Sequence, residues 1–294
     1  YAITTDKHAG ILPNIAPYSH QIPWGNTAAL IEACAVAGDD LAAIIVEIPP
    51  FPWNGLAAGT PAEGNTIKEY QTAARIHKAV FVLDEVITML RYGLGGAQAY
   101  YGVEADLVTG GKALANGLPL AVLLGKRELM EHFEGGNPFC SYTFGGEATA
   151  LAACKATLDV LQQSAALEQL YWYGEDVGNN LAGMLAEHVI PARLRGNYAR
   201  MVLDWQDVPG IATADELRTL WLQELLRHGV LASVPLFPMC CYTAEIVEEL
   251  CGAFEAACIV LAQVIHEQRP IGDVLEVAVI HDVFSQRYGT VEDR

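Results

Sequence analysis

Two residues in the chain have the types and placement to do chemistry together: Asp84, which ends the apolar run "VFVLD", and Lys112, which ends "ADLVTGGK". Each is expected where an apolar strand meets solvent, the edge at which α/β folds hold their ligands. A carboxylate delivered there by residues 80–83 calls for a cation or a hydrogen-bond donor. A lysine preceded by Gly110 and Gly111 has little side-chain bulk around it, which leaves room for a planar ligand. Partly desolvated beside another positive group, such an amine becomes a nucleophile able to form an imine. The plainer alternatives are an aspartate that caps a loop and a lysine that is simply solvated.

A phosphate-loop reading, with "AVFVLDE" as the metal-binding acidic strand, fails on spacing. It needs G-x-x-x-x-G-K-[ST], whereas Leu107 stands at the first glycine and Ala113 at the hydroxyl, and the two segments occur in reversed order. A strand-end carboxylate and a strand-end amine in one sheet are instead the pair that pyridoxal phosphate uses, one to keep the ring nitrogen protonated and one to hold the aldehyde.

The elements that must position this pair are legible as alternating patterns. Asn26 caps a helix over 27–37 that stops at Gly38, and "LAAIIVEIPP" (41–50) reads as a strand buried on both faces. Helical spacing over 65–80 leads into the strand ending at Asp84, and 105–111 and 118–125 are two more short apolar runs. That alternation predicts an α/β fold with a mostly parallel sheet and flanking helices. An Ala-rich helix over 146–163 then leads to long helices (165–189, 213–228, 243–267) around the strand candidates "ARMVLDW" and "GVLASV", a smaller α+β domain. We expect the large domain over 1–160 and the small one over 161–294.

The composition narrows the function classes. At 294 residues and 52% hydrophobic, the chain can bury a sizeable core, and its net charge of −18 argues against a nucleic acid or an anionic membrane as partner. No apolar run approaches the length of a bilayer span. The seven cysteines form no C-x-x-C pair and read as reduced, mostly buried thiols of a cytoplasmic protein, and the eight histidines show no metal-binding spacing. Trp24, Trp53, Tyr100, Tyr101 and Trp221 read as packing residues; Arg91 and Arg195 have the chemistry to bind a carboxylate, with surface solvation as the alternative.

Over residues 81–130 the chain carries D-E-V-I-T, G-G-A-Q, Y-Y-G-V, D-L, G-K-A and G-L-P in order, and it continues with "YTFGGEATALAACKATLDVL" and "LWLQELLRHGVL". This series resembles the class III pyridoxal-phosphate aminotransferases, most closely the branch that includes glutamate-1-semialdehyde aminomutase. The resemblance implies the fold type I transferase architecture and pyridoxal 5'-phosphate as cofactor. Lys112 looks like the Schiff-base lysine and Asp84 like the partner of the pyridine nitrogen. Val86, on the same side as Asp84 if the strand extends, looks like the residue packed on one ring face. Thr143 looks like the group that reaches the cofactor phosphate of a neighbouring subunit, and Gln98 matches without an assigned role. The substrate would be a small amine or amino acid with an oxo compound.

Family polypeptides are longer at the N-terminus, where a Gly- and Ser/Thr-rich turn holds the phosphate. A homodimer, or a complex with a chain supplying that part, is therefore expected. An aminotransferase, an aminomutase and a non-catalytic scaffold all stay open at this point.

Overall fold

The first helix shows how closely local chemistry sets the element boundaries. In the computed structural model, which describes residues 18–48, 61–136, 138–140, 142–233 and 235–281 (side chains of 61–63 excepted), Asn26 Oδ1 accepts from the Ala29 N–H at 3.0 Å. That bond opens α1 (Thr27–Ala37), and Gly38 at φ 52° closes it. Trp53, Pro49 and the first seventeen residues lie outside the described residues.

The chain then alternates as expected through β1 (Ala43–Glu47), α2 (Pro61–Ile76), β2 (Val80–Asp84), α3 (Gly96–Tyr101), β3 (Leu107–Gly110), β4 (Val122–Gly125) and α4 (Arg127–Glu134). The sheet has the order β1-β2-β3-β4; the first three strands run parallel and β4 returns antiparallel to β3. Helices α1 and α2 cover one face, where Ile67, Phe81 and Leu83 are at most 1% exposed. At its lower edge Asp106 ties the strands together, accepting from the Phe81 N–H at 2.8 Å and pairing with Lys126 at 2.7 Å.

β1 departs from expectation. Val46 is 5% exposed but Ile45 is 70% exposed, so the strand is buried on one face only. It is the edge strand of the described sheet.

Beyond α5 (Ala148–Gln163) and α6 (Ala166–Glu187), a second sheet of β5 (Ala192–Asn197), β6 (Arg200–Trp205) and β7 (Pro235–Leu236) is antiparallel throughout. α7 (Ala214–Arg227) starts at a capping box in which Thr213 and Glu216 satisfy each other's backbone N–H groups. α8 (Ala244–His266) packs on α6 and α7 around its own core, with Trp221 stacked on Phe254 at 5.4 Å. β5 was not anticipated, because Arg193 and Arg195 interrupt its apolar pattern. The described part of "GVLASV", residues 229–233, forms no strand, and β7 is Pro235–Leu236.

α8 is also long and apolar enough to cross a membrane by length and composition, contrary to the sequence expectation; Phe254, Ala257, Cys258 and Leu261 spend that apolar character on the second core. All seven cysteines are free, but only Cys34 and Cys258 are buried, fewer than expected.

Two glycines of α6 test this packing with opposite signs. A β-carbon at Gly174 would run into the backbone carbonyl of Tyr198, whereas one at Gly183 meets nothing within 4 Å. Gly183→Ala should therefore stabilise by about 1 kcal/mol, the helix-propensity gain. Gly174→Ala should destabilise by about 1–3 kcal/mol despite the same gain. Urea unfolding of the two variants checks the pair, and stabilisation by both would contradict the contact.

Candidate active site

Parallel pairing makes Glu47, Asp84 and Thr109 register partners at the C-terminal edge of the sheet, so their side chains leave one face in a row. Asp84 Oδ1 accepts from Thr109 Oγ1 at 3.1 Å and from the Val86 N–H at 3.0 Å. The second of these closes an Asx turn. β2 ends at Asp84, so Val86 is not carried along an extended strand as the sequence suggested; the turn folds it back, and its Cγ1 lies 3.9 Å from where a β-carbon on Gly111 would be. Asp84 Oδ2 carries no hydrogen bond from a described residue.

Lys112 opens the short 3-10 turn Lys112–Ala115 with φ 46°, a left-handed backbone that a side chain rarely adopts. It is exposed, and its amine has neither hydrogen-bond nor ion-pair partner among the described residues. The two glycines before it are explained by close approach rather than by room for a ligand. A β-carbon on Gly110 would lie 2.5 Å from the Met89 side chain, and one on Gly111 would lie 3.2 Å from the Leu120 carbonyl.

Glu47 gathers the charges of this edge. Burial pushes its carboxyl up; the Arg200 guanidinium opposes that, Asp84 reinforces it, and Lys112 opposes it. One carboxylate thus feels the charges of Asp84, Lys112 and Arg200, all near the C-terminal edge of the sheet. Arg200 arrives from β6, 5% exposed, and donates Nη1–H to the Ile48 carbonyl at 3.0 Å and Nη2–H to Glu47 Oε1 at 3.3 Å. Sequence reasoning passed over both residues; a glutamate closing an apolar strand, like the aspartate of the next strand, was the available signal.

The residue after Asp84 does a different job. Glu85, 1% exposed, turns its carboxylate into the start of α3, accepting from the Ala97 N–H at 2.5 Å, the Gln98 N–H at 3.2 Å and Thr88 Oγ1 at 3.1 Å. Gly96, at φ 65°, has no β-carbon and so admits the carboxylate at contact distance. Gln98 Oε1 in turn accepts from the Ala105 N–H at 3.4 Å, which gives that residue a positioning role.

Thr143 is not part of this cluster. It is exposed between Tyr142 (74% exposed) and Phe144 (80%), ahead of α5, whose first turns pack on the turn at Lys112. Arg91 and Arg195 are committed elsewhere. Arg91 donates to the Ala199 and Pro238 carbonyls at 2.8 and 3.2 Å, and Arg195 pairs with Asp204 at 2.7 Å.

These residues fit two ends of pyridoxal phosphate. The unpartnered Asp84 Oδ2 can accept from a protonated ring nitrogen, and the unpartnered Lys112 amine can meet the aldehyde. The helix starts nearby are already filled, α3 by Glu85 and α5 by Glu147, which accepts from the Thr149 and Ala150 N–H groups at 2.8 and 2.9 Å. Neither is left to cradle a phosphate.

Removing the Glu85 carboxylate in Glu85→Ala strands two buried N–H groups and should cost about 2–4 kcal/mol. Burial pushes this carboxyl up although its three donors oppose the rise, so the folded chain holds the proton more tightly than the unfolded chain. That contribution is fully present below the ordinary glutamate value of about 4.3 and is lost as pH rises through the folded value. Urea melts from about pH 4 to about pH 7 should show wild type losing stability relative to Glu85→Gln. A constant difference would contradict the burial.

Comparison with known proteins gives the family and the fold. Residues 14–258 match the family model described as aminotransferase class-III. A glutamate-1-semialdehyde 2,1-aminomutase of Ignicoccus hospitalis is 34% identical over 243 residues, 78% of this chain and 55% of that protein. One of Hyperthermus butylicus is 30% identical over 262 residues, 85% and 60% of the two chains. The chain therefore spans a little over half the length of these curated relatives. Among solved structures, the pyridoxal-phosphate internal aldimine form of the Sphingopyxis sp. MTA144 FumI protein superposes with a TM-score of 0.77 at 21% identity, over 90% of this chain and 63% of that one. A transaminase with pyridoxal phosphate bound gives 0.77 at 23% identity, over 88% and 61%. The fold is that of these transaminases, and the chain belongs to the class-III aminotransferase family.

Proposed function

We propose that the chain carries the catalytic lysine of a pyridoxal-phosphate-dependent aminotransferase, moving an amino group between a small amine or amino acid and an oxo compound. The observation that carries this reading is that Asp84 Oδ2 and the Lys112 amine have no hydrogen-bond partner among the described residues, at an edge where the charges of both residues act on Glu47. When bound, the cofactor supplies an aldehyde that captures amines and a ring that withdraws electrons. Asp84, fixed through Oδ1 by Thr109 and Val86, would hold a protonated ring nitrogen with Oδ2. Val86 would lie against one ring face. Lys112 would hold the aldehyde and, when its amine is free, would move a proton at the substrate Cα.

The same reading takes Thr143, exposed beside two aromatic side chains, as the group offered to the cofactor phosphate of a second subunit in a homodimer. It divides the chain near residue 160, supported by the two separate cores. It places the protein in the cytoplasm, supported by seven unpaired thiols. A second reading, an amino shift within one molecule, is favoured by the names of the curated relatives, which are aminomutases.

Borohydride reduction of the chain incubated with pyridoxal phosphate should fix the cofactor on Lys112, read by peptide mass spectrometry, and Lys112→Ala should lose both the adduct and the visible absorption band. Turnover of Lys112→Ala should fall by about 10²–10⁴-fold from lost proton transfer alone. A ¹⁵N-labelled donor separates the readings: label on a second oxo acid supports transfer, and label retained on one carbon skeleton supports the shift. No adduct in wild type would leave the scaffold reading.

A further inference from the structure

Glu47 and Asp84 are register partners on one face of the sheet, and two carboxylates so placed resist being ionised together. If Asp84 is to face a protonated ring nitrogen, the charge beside it has to be balanced by something else. The balancing group comes from the other sheet. Arg200 crosses from β6 to grip Glu47 Oε1 and the Ile48 carbonyl, delivered by the tight turn between β5 and β6. Around that turn Asn197, Ala199 and Arg200 are buried while Tyr198 is exposed, and its contacts are with the loop after β2 and with α3. The Ala199 carbonyl accepts from Arg91, and Asn197 Nδ2–H donates to Tyr100 Oη at 3.2 Å.

Arg200 is poorly explained as a structural fastener. Its Nε–H is buried with no acceptor among the described residues, and a buried guanidinium with an unmatched N–H costs stability. The charges facing Glu47 are Asp84 from β2, Lys112 after β3 and Arg200 from β6, while Arg91, in the loop after β2, acts on Arg200 as a like charge.

We propose that Arg200 is a positioning residue that neutralises Glu47 and so leaves the negative charge of this edge on Asp84. It works through Glu47 and touches neither Asp84 nor Lys112 in any hydrogen bond. The proposal rests on the reading of Asp84 as the ring-nitrogen partner, and its primary test is made without cofactor.

The Glu47 carboxyl is followed by ¹³C NMR in the cofactor-free chain, assigned by its loss in Glu47→Gln. In Arg200→Met its titration midpoint should move up by about one pH unit or more, because the largest group favouring the ionised form is gone. Arg200→Lys, which restores a charge, should bring it back toward wild type. Arg200→Met/Asp84→Asn should also lower it from the single variant. The double variant Arg200→Met/Glu47→Gln should unfold at a urea concentration no lower than wild type, since the buried guanidinium and the half-buried carboxylate leave together. An unmoved midpoint in Arg200→Met, or one that Arg200→Lys does not restore, overturns the proposal. Cofactor uptake is scored separately: failure of wild type to take up pyridoxal phosphate sinks the catalytic reading, and the midpoint still decides whether Arg200 balances Glu47.

Discussion

The carboxylate of Glu85 is buried without a cation beside it and is held by two backbone N–H groups and one hydroxyl, and the geometry of the site depends on that arrangement. Adjacent residues of a chain leaving a strand point to opposite sides. Anchoring Glu85 in the start of α3 therefore aims Asp84 the other way, toward Glu47 and Lys112. The anchor works only because Gly96 lacks a β-carbon where the carboxylate lies and because Thr88 reaches back within the same loop. A buried carboxylate in this setting is expensive unless its donors are fully in place. The loop between β2 and α3 consequently has one tolerable arrangement rather than several, and Val86 inherits its position from it.

The elements themselves were written in hydrophobic period and punctuation. Asn26 and Gly38 bounded α1, the run into Asp84 gave β2, and the Ala-rich stretch after Glu147 gave α5, each through a local rule that tertiary contacts did not override. What escaped were features decided by neighbours distant in sequence. Ile45 looks like Ile44 and Val46 in the sequence, and only the position of β1 at the sheet edge exposes it. β5 hid behind its arginines, one of which is paired across the hairpin with Asp204.

The candidate site divided the same way. Asp84 and Lys112 were legible because strand ends are where single charged residues stand out against apolar runs. Glu47 ends its strand just as Asp84 does, yet its importance comes from Arg200, 153 residues away in the chain. Gly110 and Gly111 invited a reading of open space for a ligand, but the space is filled by Met89 and approached by the Leu120 carbonyl. A glycine in a sequence signals that a β-carbon is unwelcome without saying whether a ligand or the protein itself is the reason.

The left-handed backbone at Lys112 has a consequence for how this position can change. An L-residue held there costs on the order of 1–2 kcal/mol, a cost that glycine avoids and asparagine lessens. Folding stability therefore pulls against lysine at 112, and its side chain, with no hydrogen-bond or ion-pair partner among the described residues, offers only the attraction of the Glu47 carboxylate in return. Relieving that backbone with glycine and keeping an amine at this position are therefore mutually exclusive, because only a side chain that accepts the left-handed turn can carry the amine.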